Sequence, residues 1–181
     1  NGCCKPVPRS VSLAKAPRNV LVTGWGVTTT QTLGAALTKR GQTVTVAETG
    51  TTPSAARIAE VVAQAANNDL VVVSTNNAAS VNVATGQPTP AAAAQQAFVR
   101  ALVATGKPVI VAGMRNPYDV SYLPTAQTYL ATYGYTAESV ESLVRVLFGE
   151  VNPSGKLPVT IPKADGSGAL YPFGHGLRYG G

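Results

Sequence analysis

Carboxylates are scarce in this sequence and unevenly placed. Eight Asp and Glu stand against fourteen Lys and Arg, for a formal net charge of +6, and no acid occurs between Asp69 and Asp119. An excess of cations invites a nucleic-acid partner. Yet Lys39–Arg40 is the only adjacent basic pair, and the other cations stand singly without interleaved aromatics. A phosphate-binding groove needs a clustered basic stripe, so no nucleic-acid partner is expected and the charge reads as a solvated surface. Cysteine is almost absent: Cys3 and Cys4 are neighbours, which rarely reach disulfide geometry with each other. With a single histidine, His175, they cannot complete a four-ligand zinc site. Either they pair with residues outside this chain or both are free, and they do not decide the compartment. No apolar run exceeds about five residues, against the roughly 20 of a membrane helix, so no membrane partner is expected. An initiator Met, a basic n-region and a signal-like apolar stretch are all missing at the start. The expectation is a processed product or a piece of a longer polypeptide; the parent's compartment stays open, with secreted or extracellular favoured.

What is present is alternation. Residues 1–17, with three prolines and no period, read as a lead-in or linker. Short strands are expected at 19–23 (NVLVT), 43–48 (TVTVAE), 70–75 (LVVVST), 108–113 (PVIVAG) and 128–134 (TYLATYG). Helices are expected between them at 28–41, 53–66 and 91–106, and after them at 136–149. Leu33 and Leu37 lie one helical turn apart, Thr136 stands at a cap position, and Gly41, Gly106 and Gly149 close their helices. The run LVVV suits a strand covered on both faces. This pattern predicts an α/β fold: a doubly wound, mostly parallel sheet of five to six strands with helices on both faces, a flavodoxin-like α/β sandwich. Residues 18–181 read as one such domain, including an extended tail over 150–181.

Two readings of the first strand–helix turn compete. Gly24 and Gly26 begin a G-x-G-x-x-G pattern, and Glu48 stands where a ribose-binding acid would. Residue 29 is Thr, however, so a plain tight turn with Glu48 in solvent is the simpler reading.

The tail carries the most specific signal. VESLVRVLFGE runs into VNPSGKLPVTIP, where Pro158 and Pro162 enforce an extended backbone. YPFGHGLRY follows at Tyr171–Tyr179. These two motifs, in order, resemble the closing segment of the C-terminal domain of glycoside hydrolase family three. TGKPVIVAGMRNPYDVSYLP followed by YLATYGYT is similar to its β-N-acetylglucosaminidase and β-N-acetylhexosaminidase branch. The resemblance implies a domain beside an N-terminal (β/α)8 barrel that holds the nucleophilic Asp and, in this branch, a His–Asp acid/base dyad. The β-glucosidase-like branch instead takes its acid/base Glu from a loop of the C-terminal domain. Here the corresponding loop, NNAASVNVATGQPTP, has no acid. The implied activity is hydrolysis of terminal β-linked N-acetylglucosamine, with carbohydrate reached through the barrel. No catalytic residue, metal or cofactor is expected in this chain.

Substrate- or barrel-facing candidates lie where the third and fourth strands end: Asn76, Asn77, Arg115, Asn116 and Asp119. Their local alternative is turn capping by the Asn residues and an Arg115–Asp119 pair. His175, between glycines, reads as a turn residue rather than a general base. Ser139 and Ser142 lack a nucleophile-elbow context, and no triad can be assembled. Residues 156–162 are expected to run extended, with Tyr171 and Phe173 largely buried against this segment or against the partner. The competing functions are a stand-alone module for a nucleotide or small molecule and a non-catalytic interaction domain.

Overall fold

In a computed structural model that describes residues 2–5, 13, 16 and 18–178, the apolar runs form the sheet the alternation predicts. Its strands are β1 (Gly2–Lys5), β2 (Asn19–Gly24), β3 (Thr43–Glu48), β4 (Leu70–Thr75), β5 (Val109–Gly113) and β6 (Thr128–Ala131), in the order β1-β6-β5-β4-β2-β3. β2 to β6 are parallel, and β4 is buried along its whole length. β1 is antiparallel to β6, pairing Gly2 with Ala131 and Cys3 with Leu130. Residues 2–5 of the expected lead-in are thus an edge strand of the sheet. The side chains of Cys3 and Cys4 lie outside the described part of the structure, as does Tyr179.

The crossovers are α1 (Val27–Thr38), α2 (Ala55–Ala65) and α3 (Pro90–Ala104), and α4 (Ala137–Leu147) follows β6. Three begin at a hydroxyl cap: Ser54, Thr89 and Thr136 accept from the amides of Arg57, Ala92 and Ser139. Leu33 and Leu37 of α1 and Val140, Leu143 and Val144 of α4 cover one face of the sheet. Val61 and Ala65 of α2 and Phe98, Val99 and Leu102 of α3 cover the other.

On that second face the tail packs into the same core as α2 and α3. Leu157 and Ile161 join the α2–α3 core together with Val120 and Leu123 of a 3-10 helix, Pro117–Tyr122. β7 (Ile161–Pro162) and β8 (Ala169–Tyr171) form a short antiparallel pair, and Ser121 Oγ donates to the Pro162 carbonyl at 2.6 Å. The tail's partner therefore lies within the chain. Tyr171 is partly buried and stacks on His175 at 4.6 Å between centroids, which places His175 in a packed turn. Phe173 is 71% exposed, so its ring is not buried within this chain, one of the two places expected for it. The turn through Gly174 and His175 is closed by backbone bonds to Leu157, which seat Leu157 rather than the Phe173 ring in the core.

Candidate functional site

Because β2, β4, β5 and β6 run parallel, their carboxyl ends share one edge, and the loops leaving them are stitched side to side. Trp25 N–H donates to the Ser74 carbonyl at 3.0 Å, Met114 N–H to Thr75 at 3.0 Å, and Thr132 N–H to Gly113 at 2.9 Å. Ser74 Oγ donates to the Trp25 carbonyl at 2.8 Å. Above these bonds, Asn116 Nδ2 donates to Asn77 Oδ1 at 2.7 Å, joining the loop after β4 to the loop after β5. Asn116 also caps the 3-10 helix, its Oδ1 accepting from Tyr118 N–H at 3.0 Å.

The loop after β4 is held from below by two glutamines of α3. Gln95 accepts from Asn76 N–H at 2.9 Å and donates to the Asn76 carbonyl at 3.0 Å, and Gln96 donates to the Ala78 carbonyl at 2.8 Å. Both glutamines are buried. They do for irregular backbone what a neighbouring strand would otherwise do. Asn77 sits at φ +57°, and Asn76 Oδ1 is buried without a hydrogen-bond partner among the described residues. Beyond Ser80 the loop rises as a finger pinned by a Val81–Pro88 bridge and by turns on Asn82, with Val83 at its tip 98% exposed.

Asp119 does not face outward. It is 1% exposed, Oδ2 accepting from Thr75 Oγ1 at 2.8 Å and Oδ1 from Ala79 N–H at 3.0 Å. Burial pushes its pKa above the usual carboxylate range, against the opposing pull of the Thr75 hydroxyl and the Ala78 and Ala79 amides. Neither proposed role, a partner-facing acid or a pair with Arg115, fits these contacts. The 3-10 turn carries the side chain inward, and Arg115 is exposed with no ion pair among the described residues. The loops after β4 and β5 thus carry half-buried Asn77 and Asn116 and exposed Arg115, while Asp119 is internal. Such groups can hydrogen-bond neutral polyols.

At the first strand–helix turn, Glu48 Oε1 accepts from Gly26 N–H at 3.1 Å and from Gly50 N–H at 2.8 Å. Glu48 is thus half-buried and occupies amides that a phosphate would need. Among the described residues, no group of three or more His, Cys, Asp and Glu could hold a metal ion, and no helix is long and apolar enough to cross a membrane.

Sequence reasoning missed Thr75, Gln95, Gln96 and the Glu48 contacts. The legible sign was the QQ pair set among alanines and apolar residues in AAAAQQAFV. Adjacent buried amides in a helix need a backbone partner nearby.

A family model, the glycosyl hydrolase family 3 C-terminal domain, matches residues 8–179. The chain belongs to this family. A putative β-xylosidase of Formosa agariphila is 36% identical over 109 residues, covering 48% of this chain and 14% of that protein. Among solved structures, a family 3 β-N-acetylglucosaminidase of a Paenibacillus species superposes with a TM-score of 0.68 at 25% identity, over 83% of this chain and 28% of that one. A β-glucosidase of Listeria innocua superposes at 0.78 and 19% identity, over 98% and 32%. The chain thus spans a third or less of the length of these relatives.

Proposed function

We propose that this family 3 domain, residues 18–181 with its tail, works beside a (β/α)8 barrel in a longer polypeptide that hydrolyses terminal β-linked N-acetylglucosamine. The observation that carries the reading is the acid-free stretch from Asp69 to Asp119, together with the inward, hydrogen-bonded position of Asp119 itself. Glycoside hydrolysis generally needs two carboxyl-type groups flanking the scissile bond. On this reading both the attacking group and the proton donor come from the barrel. The edge that carries Asn76, Asn77, Arg115 and Asn116 then contributes substrate shaping and contact with the barrel.

A second reading rests on the curated relatives, one named a putative β-xylosidase and another a periplasmic β-glucosidase. One assay separates the two. The full polypeptide carrying this sequence and the 181-residue chain alone are tested on nitrophenyl β-N-acetylglucosaminide, β-xyloside and β-glucoside. The expected result is turnover of the N-acetylglucosaminide by the full polypeptide and none by the chain alone. Preference for the xyloside or glucoside overturns the substrate assignment. Turnover by the chain alone overturns the division of labour.

A further inference from the structure

A carboxylate that is 1% exposed cannot touch a sugar, yet both Asp119 oxygens are spent on the end of β4 and on the loop that follows it. From this geometry we propose that Asp119 is a positioning residue: it fixes the loop 76–80 and the base of the finger in the shape the glycosidase uses, acting on the substrate only through Asn76 and Asn77. This rests on the glycosidase reading given above.

The loop is gripped from two sides. Gln95 and Gln96 take the backbone of Asn76 and Ala78, and Asp119 takes Thr75 and Ala79. Between these grips Asn77 holds φ +57°, a conformation that a non-glycine residue keeps only where its surroundings over-determine it. Its amide is turned to meet Asn116, and the Asn76 carboxamide is left with a buried, unmatched oxygen. Burying a carboxylate for two neutral donors is an expensive way to close a loop. The arrangement spends that cost on fixing one backbone shape. An Asn at 119 keeps the volume but has one acceptor oxygen, so an N–H group then faces either the Ala79 amide or the Thr75 hydroxyl. Its one neutral oxygen can serve only one of the two donors, and neither contact keeps a charged acceptor.

The test uses the full polypeptide as wild type, Asp119→Asn, Thr75→Val and Val61→Ala. Val61 is a core residue of α2 away from this edge, and its truncation supplies a destabilised control. Three quantities are measured: kcat and KM on the aryl β-glycoside the wild type cleaves best, the thermal midpoint, and amide exchange over residues 77–90. Asp119→Asn is expected to lower kcat/KM by about tenfold or more, mainly through KM, as misplaced binding groups do. Exchange over 77–90 should accelerate in this variant and not in Val61→Ala. Thr75→Val, the milder cut, should move both readouts the same way by less, and it carries the test if Asp119→Asn does not fold. Wild-type KM and kcat in a folded Asp119→Asn, or kinetic losses no greater than those of Val61→Ala at equal loss of midpoint, overturn the proposal. Unchanged exchange over 77–90 overturns it as well. A wild type that cleaves none of the aryl glycosides overturns the functional reading, while the exchange data still decide whether Asp119 holds the loop.

Discussion

Asn116 donates its side-chain amide to the Asn77 oxygen across the seam between the loops after β4 and β5, at 2.7 Å, while its own oxygen caps the 3-10 helix at Tyr118. One side chain thus serves two loops. Asn116→Ala removes both bonds and is expected to cost about 1–2 kcal/mol. Asn116→Ser keeps a cap oxygen but is too short to reach Asn77, so it should lose about half as much. Urea midpoints of the two variants test the split, and equal losses would mean that the cap at Tyr118 contributes nothing.

Asp119 supplies a prediction about pH. Burial raises its pKa above the unfolded value, so the folded chain holds its proton to higher pH than the unfolded chain does. Its contribution to stability is therefore fully present below the unfolded value of about 3.9 and is lost as pH rises through the raised folded value. Asp119→Asn cannot titrate. The midpoint of wild type minus that of Asp119→Asn should be larger near pH 4 than near pH 7, and a difference that does not vary with pH would refute the shift.

The sheet was legible because NVLVT, LVVVST and PVIVAG are short apolar runs bounded by Gly, Pro, Asn or Asp, a pattern that suits strands covered on both faces. Thr136 was legible as a cap for the same local reason. β1 was not, since GCCK has no period of its own and its pairing is imposed by β6. Asp119 was found as a residue but not as a direction. An acid six residues beyond the end of β5 at Gly113 gives no sign of which way a 3-10 turn will carry its side chain. Glu48 was read as solvated, with a ribose-binding acid as the alternative; its contact with the chain's own Gly26 and Gly50 amides had no sign in the sequence.

That contact makes the nucleotide alternative testable. A ligand bound to the native state raises the midpoint in proportion to the logarithm of its concentration over Kd. With Glu48 seated on the turn, NAD, FMN and ATP at millimolar concentration should leave the midpoint unchanged. A reproducible rise of several degrees with any of them would reinstate a phosphate site at this turn.

Gly24 is a position where only glycine fits. Its φ is +99°, and an added Cβ would lie 2.1 Å from the Ser74 carbonyl oxygen and 2.7 Å from the Ser74 nitrogen, both fixed in β4. Gly24→Ala therefore combines backbone strain with a backbone clash, and about 3 kcal/mol or more should be lost. Denaturant unfolding reads this directly. A loss under 1 kcal/mol would mean that the β2–β4 seam can open at its end.

The tail gives the last test, because two of its apolar residues lie in opposite surroundings. Leu157 is 1% exposed and sits in the core with Val120 and Ile161, whereas Phe173 is 71% exposed beyond the β7–β8 pair. Leu157→Ala should cost about 2–5 kcal/mol, the transfer of the lost methyl groups plus the cavity left behind. Phe173→Ser should fall within about 0.5 kcal/mol in the 181-residue chain, since its ring already faces water. The informative comparison is the same Phe173→Ser change in the full polypeptide. If the remaining polypeptide covers the ring, burial of its apolar area is worth about 1.5–3 kcal/mol, and the loss should grow by that amount only there. Equal, small losses in both contexts would place Phe173 in solvent in the full polypeptide and remove the tail's aromatic tip from any domain interface.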